Sequence, residues 1–157
     1  MKEFLSPGRY VDSDHPDVIA FARQHVKGTT DLERAVSLYY AVRDAIRYNP
    51  FLDFTSDASF RGSVCLQTGE GFCIGKAALL AACARAVGIP ARVGFADVKN
   101  HLTTPRLAER MGGSDLFVYH GYTELFLEGK WVKATPAFNV ELCRRFKVKP
   151  LDFDGRE

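Results

Sequence analysis

Any chemistry in this chain starts at Cys73. The stretch GFCIGKAALLAACARAVGIPARV, residues 71–93, sets a cysteine behind a glycine-containing turn, where a strongly apolar helical run begins. Most free cysteines are packed core thiols. A cysteine in the first turn of a helix, however, lies beside unsatisfied N–H groups and the positive end of the helix dipole. That field favours thiolate and lowers the pKa below its free value of about 8.5. Gly69 and Gly71 let the backbone approach closely and leave room beside the sulfur.

A thiolate nucleophile needs a proton partner, ordinarily a histidine. His15 falls in a helix-cap region, His25 at a helix end and His101 in a polar loop, so each reads as a solvated surface residue. His120 differs, because it lies in a strand pattern and shares one face with Val118, Tyr122 and Glu124 by period-two alternation. A strand packed on the cysteine helix can present that ring to the helix N-terminus; a buried structural histidine would satisfy the same pattern. An oxyanion would find one donor in the Cys73 N–H. A second is the amide of Gln67, six residues upstream, which is equally readable as a solvated loop glutamine.

The elements that must position these groups follow from periodicity and caps. A first helix is expected from the cap residue Asp14, with Pro16 in its first turn, Val18, Ile19, Ala22 and Val26 at helical spacing, and Gly28 as the stop. A second starts with the capping box Thr30–Glu33 and carries Leu32, Ala35, Val36, Tyr39, Val42 and Ile46 up to Pro50. Residues 49–72 read as a loop-rich approach. The helix after Cys73 is apolar almost all round, which predicts burial on most sides; Gly88 and Pro90 stop it. ARVGFADV then reads as a strand, 98–114 as a polar segment bordering the site, and LFVYHGYTELFL and KWVKATP as a hairpin turning at Glu128-Gly129-Lys130. Helices, a buried helix and antiparallel strands in that order give an α+β domain with the helix packed on a small sheet.

Composition narrows the functional classes. With 157 residues the chain is expected to be one domain, 1–157, and 46% hydrophobic with 25% charged residues is ordinary for a globular protein. A net charge of +2 gives no case for nucleic acid, and the basic cluster Arg144, Arg145, Lys147 and Lys149 reads as a solvated edge. No signal peptide or membrane span is evident, so the expected location is cytoplasmic, with Cys65, Cys73, Cys83 and Cys143 reduced. None of them forms a C-x-x-C pair, which argues against a zinc site.

Taken together, GFCIGKAALLAACARAVGIPARV and YHGYTELFLEGKWVKATPAFN resemble the transglutaminase-like superfamily, a branch of the papain-like thiol fold, in its small single-domain bacterial form. The family pattern is a cysteine opening a helix, R-x-x-G-I-P-A-R, a strand H-x-W-x-E and a partner strand W-V-x-x-D-P. Cys73, Arg85, Gly88-Ile89-Pro90-Ala91-Arg92, His120, Glu124, Trp131, Val132 and Pro136 match it, and the likeness runs from about residue 14 to about 139. The resemblance implies a thiol-dependent acyl-transfer enzyme acting on an amide or peptide carbonyl of a protein, peptide or small amide. Cys73 would be the nucleophile, His120 the base and then the acid, and Gln67 the oxyanion donor. It implies no cofactor and no metal, and nothing matches the calcium sites of the large animal transglutaminases. Hydrolysis is favoured over cross-linking, since no second amine-substrate feature is evident. Two positions depart from the pattern: Tyr122 replaces the tryptophan and Thr135 the aspartate. A thiolate–imidazolium pair is internally neutralised, so a neutral acceptor suffices to orient the ring, either the Thr135 hydroxyl or the Asn139 carbonyl. The alternative is a catalytically degenerate binding module on the same fold. Sequence leaves the oligomeric state open.

Overall fold

Local signals set the N-terminal scaffold. The computed structural model describes residues 2–49, 57–99, 116–137, 139–145, 147 and 153–156. Helix α1 spans Pro16–His25. Its cap is His15 rather than Asp14, because the His15 ring nitrogen accepts the Asp17 N–H at 3.1 Å. Helix α2, Asp31–Ala45, carries the expected capping box, with Glu33 N–H on Thr30 Oγ1 and Thr30 N–H on the Glu33 carboxylate. Its Ala35, Leu38, Tyr39 and Val42 are buried.

The approach to the cysteine is more ordered than the expected loop. Strand β1, Arg47–Tyr48, pairs in parallel with β2, Glu70–Gly71, putting Tyr48 opposite Gly71. Between them lies α3, Gly62–Thr68. No side chain of its own caps α3; Asp12 accepts the Ser63 N–H from 51 residues away. Gly62 meets the next helix so closely that an added Cβ would lie 2.9 Å from the Leu79 Cα.

Helix α4, Cys73–Ala86, forms the centre of the core, buried from Cys73 through Ala84 apart from half-buried Ile74, as its all-round apolarity requires. On it packs an antiparallel sheet ordered β3 (Ala91–Lys99), β4 (Leu116–Leu127), β5 (Lys130–Ala134). β3 runs one residue past its predicted end, β5 stops before Thr135, and residues 100–114 of the polar segment lie outside the described residues. The hairpin turn is tight, with positive φ at both Glu128 and Gly129. Thr123, Leu125 and Leu127 face the helix, and the Thr123 hydroxyl donates to the Ala77 carbonyl at 2.8 Å. The opposite face carries Arg92, whose guanidinium pairs with Glu124 and lies 4.0 Å from the Trp131 ring centroid. A last helix, α5, spans Val140–Arg145, and Arg144, Arg145 and Lys147 are exposed.

Two features lock α4 to its neighbours. At Gly121, β4 crosses the first turn of α4 with no room for a side chain: a Cβ there would sit 3.0 Å from the Ile74 Cα and 2.9 Å from its Cγ1. One turn from Cys73, the fully buried Lys76 donates to the carbonyls of Arg43 (2.9 Å), Ile46 (2.6 Å) and Ala137 (2.8 Å). Arg43 and Ile46 belong to the end of α2, where carbonyls lack helical partners and a cation is favoured. Burial nevertheless pulls the Lys76 ammonium down to about 7, against Cys65, Asp44 and Cys143, which support the charge.

Gly121→Val should therefore destabilise the fold by about 1–3 kcal/mol in urea unfolding, the usual range for overpacking; an unchanged midpoint would mean the crossing is loose. For Lys76 the sign follows from the lowered value. Between pH 7 and 10.5 the unfolded chain keeps a proton that the folded chain has released, so the lysine's contribution to stability rises with pH. The stability difference between wild type and Lys76→Met, measured at several pH values, should shift in favour of wild type from pH 7 upward. Its slope can approach about 1.4 kcal/mol per pH unit. A flat difference would mean that the carbonyls hold the ammonium charged throughout.

Candidate active site

Cys73 is the first residue of α4, and its N-cap, Phe72, offers no side-chain hydrogen bond to the helix end. The thiol is 6% exposed, in a small buried cluster with Tyr48, Phe72 and Ala137, edged by Phe60, Ile74 and Leu142. Phe60 and Phe72 meet edge to face at 5.4 Å. This satellite cluster is separate from the main core under the sheet.

The Gly121 N–H donates to Cys73 Sγ at 3.4 Å. The bond depends on the crossing described above: only a residue without a side chain brings the β4 backbone this near to the start of α4. His120 precedes Gly121 in the same strand, its backbone registered opposite Ala96 of β3. The two residues expected to share chemistry thus come from elements that meet at the thiol, through the main chain next to His120.

Electrostatics at the sulfur differ from the sequence expectation. Burial pushes the Cys73 thiol up, while N–H groups of Gly121, Ile74 and Cys73 itself favour the charged form and offset this only in part. The helix N-terminus is present, yet loss of water outweighs it. Alone, this sulfur stays protonated near neutral pH. Burial also raises Cys65, to about 12, and Cys83; all four cysteines are buried and none forms a disulfide.

The remaining expected groups divide. Thr135 follows β5, one residue beyond the Thr123–Ala134 pair and so abreast of Tyr122; it is half-buried, and its carbonyl accepts the Tyr39 hydroxyl at 3.1 Å. Asn139 is buried with its carbonyl oxygen on the Tyr48 N–H at 3.0 Å, which commits it to holding β1. Gln67 is not brought to Cys73. Its exposed amide lies on α3 and donates to Asp17 at 3.0 Å, with the His15 ring nitrogen at 3.5 Å. The Asp17 carboxylate takes an amide N–H that an oxyanion would need. Tyr48 and Lys76 were not singled out from sequence: Tyr48 reaches the thiol's cluster through parallel pairing to Gly71, which has no local pattern. A lysine inside an otherwise apolar helix was the available signal for Lys76. Among the described residues, no group of three or more His, Cys, Asp or Glu side chains could hold a metal ion, and no helix is long and apolar enough to cross a membrane.

Comparison with known proteins agrees with this architecture. A crystal structure of a proposed cysteine protease from Cytophaga hutchinsonii superposes with a TM-score of 0.63 at 19% identity, over 87% of this chain. The match covers 41% of that protein, so the chain spans about two-fifths of its length. No curated protein matches the chain. The family model of the transglutaminase-like superfamily matches residues 19–136, which takes in most of α1, all of α2, the cysteine helix and the sheet up to Pro136. With its mixed helix and sheet core and a cysteine opening the central helix, the chain belongs to the transglutaminase-like superfamily.

Proposed function

We propose that the protein is a thiol-dependent acyl-transfer enzyme acting on amide or peptide carbonyls, with Cys73 as nucleophile and His120 as its proton partner. One observation carries this reading: the Gly121 N–H on Cys73 Sγ, which joins the helix of the thiol to the strand of the histidine at the reacting atom. Membership of the superfamily supports it.

In the first half-reaction, His120 takes the thiol proton and Sγ attacks the carbonyl carbon. The Cys73 N–H, at an uncapped helix start, is the donor proposed for the oxyanion in place of Gln67. The C–N bond breaks as the imidazolium protonates the leaving amine, which yields a thioester. Water, deprotonated by His120, then attacks the thioester; the acid leaves and Sγ regains a proton. Thr135, near Tyr122 at the end of β5, is the proposed orienter of the ring. Water is the favoured acceptor, in keeping with the proposed protease activity of the Cytophaga protein. Four cysteines without a disulfide suit a reducing compartment, and the cytoplasm is the proposed location.

Because burial alone holds this thiol protonated, reactivity at neutral pH is a measure of the proton partner. Iodoacetamide alkylation, followed by mass spectrometry of the Cys73 peptide, should begin below pH 7 in wild type. In His120→Ala the midpoint should move above about 8.5, the free-thiol value, and the rate at pH 7 should fall more than about tenfold. Cys73→Ala identifies the labelled site. A wild-type profile that matches His120→Ala would contradict the enzyme reading and favour a degenerate binding module, consistent with the lost aspartate at Thr135.

A further inference from the structure

The basic residues near the C-terminus, a solvated edge by sequence, belong to a helix that borders the thiol's cluster. Leu142 of α5 packs against the buried group of Tyr48, Phe72, Cys73 and Ala137. Two bonds hold the start of this short helix in place. The Val140 N–H donates to the Asp44 carboxylate at 2.9 Å, and Asn139, whose main-chain carbonyl accepts the Cys143 N–H, takes the Tyr48 N–H with its side chain. Cys143 is buried, whereas Glu141, Arg144, Arg145 and Lys147 are exposed. Residues three apart on a helix share a face, with about 5–6 Å between Cβ atoms, so Arg145 stands next to Leu142 at the rim of the cluster. A helix C-terminus favours cations, which accounts for basic residues at the end of α5 but not for the surface they border. Arg34, Arg43, Arg47, Arg92 and Arg156 each meet a carboxylate. Among the described residues no carboxylate pairs with Arg144, Arg145 or Lys147, although Glu141 lies one turn before Arg145.

We propose that this cationic rim selects acidic substrates: the acyl donor is a peptide with carboxylate side chains beside the scissile amide, drawn to Cys73 by Arg145 together with Arg144 and Lys147. The inference rests on the acyl-transfer reading and names its substrate class. Leu142 and Arg145 are separated by about 4.5 Å of helical rise, well within the roughly 8 Å over which charges act at physiological salt. A guanidinium also presents paired N–H donors that fit a carboxylate, so the arginines orient an acidic side chain as well as attract it. A net charge of +2 is too small to give the whole chain this preference; the placement of the cations beside the thiol's cluster does.

Two reagents of similar size and the same chemistry read charge preference at the thiol: iodoacetate is an anion and iodoacetamide is neutral. The ratio of their rates at the Cys73 peptide, measured on the full chain at low salt, should fall roughly fivefold in Arg145→Glu, the effect of reversing one charge about 8 Å away in water. Arg145→Lys should keep the wild-type ratio, and high salt should bring wild type and Arg145→Glu together. Lys130→Glu makes the same change of net charge at the hairpin turn, six positions along β4 from Gly121 and roughly 20 Å away by strand rise, and should leave the ratio in place. A blocked tetraglutamate peptide should also slow iodoacetamide labelling of Cys73 more than blocked tetraglutamine does. A ratio unmoved by Arg145→Glu, one moved equally by Lys130→Glu, or a tetraglutamate that protects no better than tetraglutamine would overturn the proposal. Should Arg145→Glu fail to fold, the neutral Arg145→Gln should lower the ratio about twofold, and an unmoved ratio there overturns it instead. At pH 9 an ordinary thiol also reacts, so the ratio is readable whether or not His120 activates Cys73. The pH profile of labelling alone decides the acyl-transfer reading.

Discussion

The crossing of β4 over the first turn of α4 is the constraint on which the site depends. Helix packing ordinarily holds a strand off by the thickness of the side chains between them. Gly121 removes that layer, so a main-chain N–H reaches Cys73 Sγ and the next residue in the strand is His120. Any side chain at 121 would lift the strand, lengthen the bond to sulfur and carry the histidine backbone away with it. The crossing thereby sets the main chain beside His120 against the thiol.

Holding α4 in place for that crossing requires more than apolar burial, which is non-directional and fixes neither rotation nor depth. Lys76 supplies direction. Its Nζ reaches the carbonyls that close α2 and the carbonyl of Ala137 beyond β5, so scaffold, cysteine helix and hairpin exit meet at one nitrogen. A buried charge is costly unless paired and hydrogen-bonded, and here each of its three N–H groups has an acceptor. The same dryness acts on the thiol, where it opposes the helix N-terminus and makes ionisation depend on groups placed around the sulfur.

What sequence made legible was local. The capping box at Thr30, the all-round apolarity after Cys73 and the glycine turn at 128–129 each signal their element from adjacent residues, and each element forms where expected. The parts that were not legible depend on distant partners. Helix α3 draws its first-turn acceptor from Asp12 and its packing from Leu79, neither of which its seven residues announce. Gln67 has the right type and spacing for an oxyanion donor, but Asp17 on α1 takes its amide. Asn139 was an equally reasonable orienter until its oxygen met the Tyr48 main chain. The direction of the Cys73 shift needed burial, a quantity set by the whole fold.

If Cys73 and His120 form the proposed pair, the thiol and the imidazole titrate together, and the charge on each depends on the other. NMR of the selectively labelled His120 ring, titrated in wild type and in Cys73→Ala, measures this directly. The account predicts that the wild-type imidazole stays charged above pH 7, balanced by the thiolate, and that without the sulfur it titrates near the ordinary value of about 6.5. Identical titration of the His120 ring in the two proteins would contradict it.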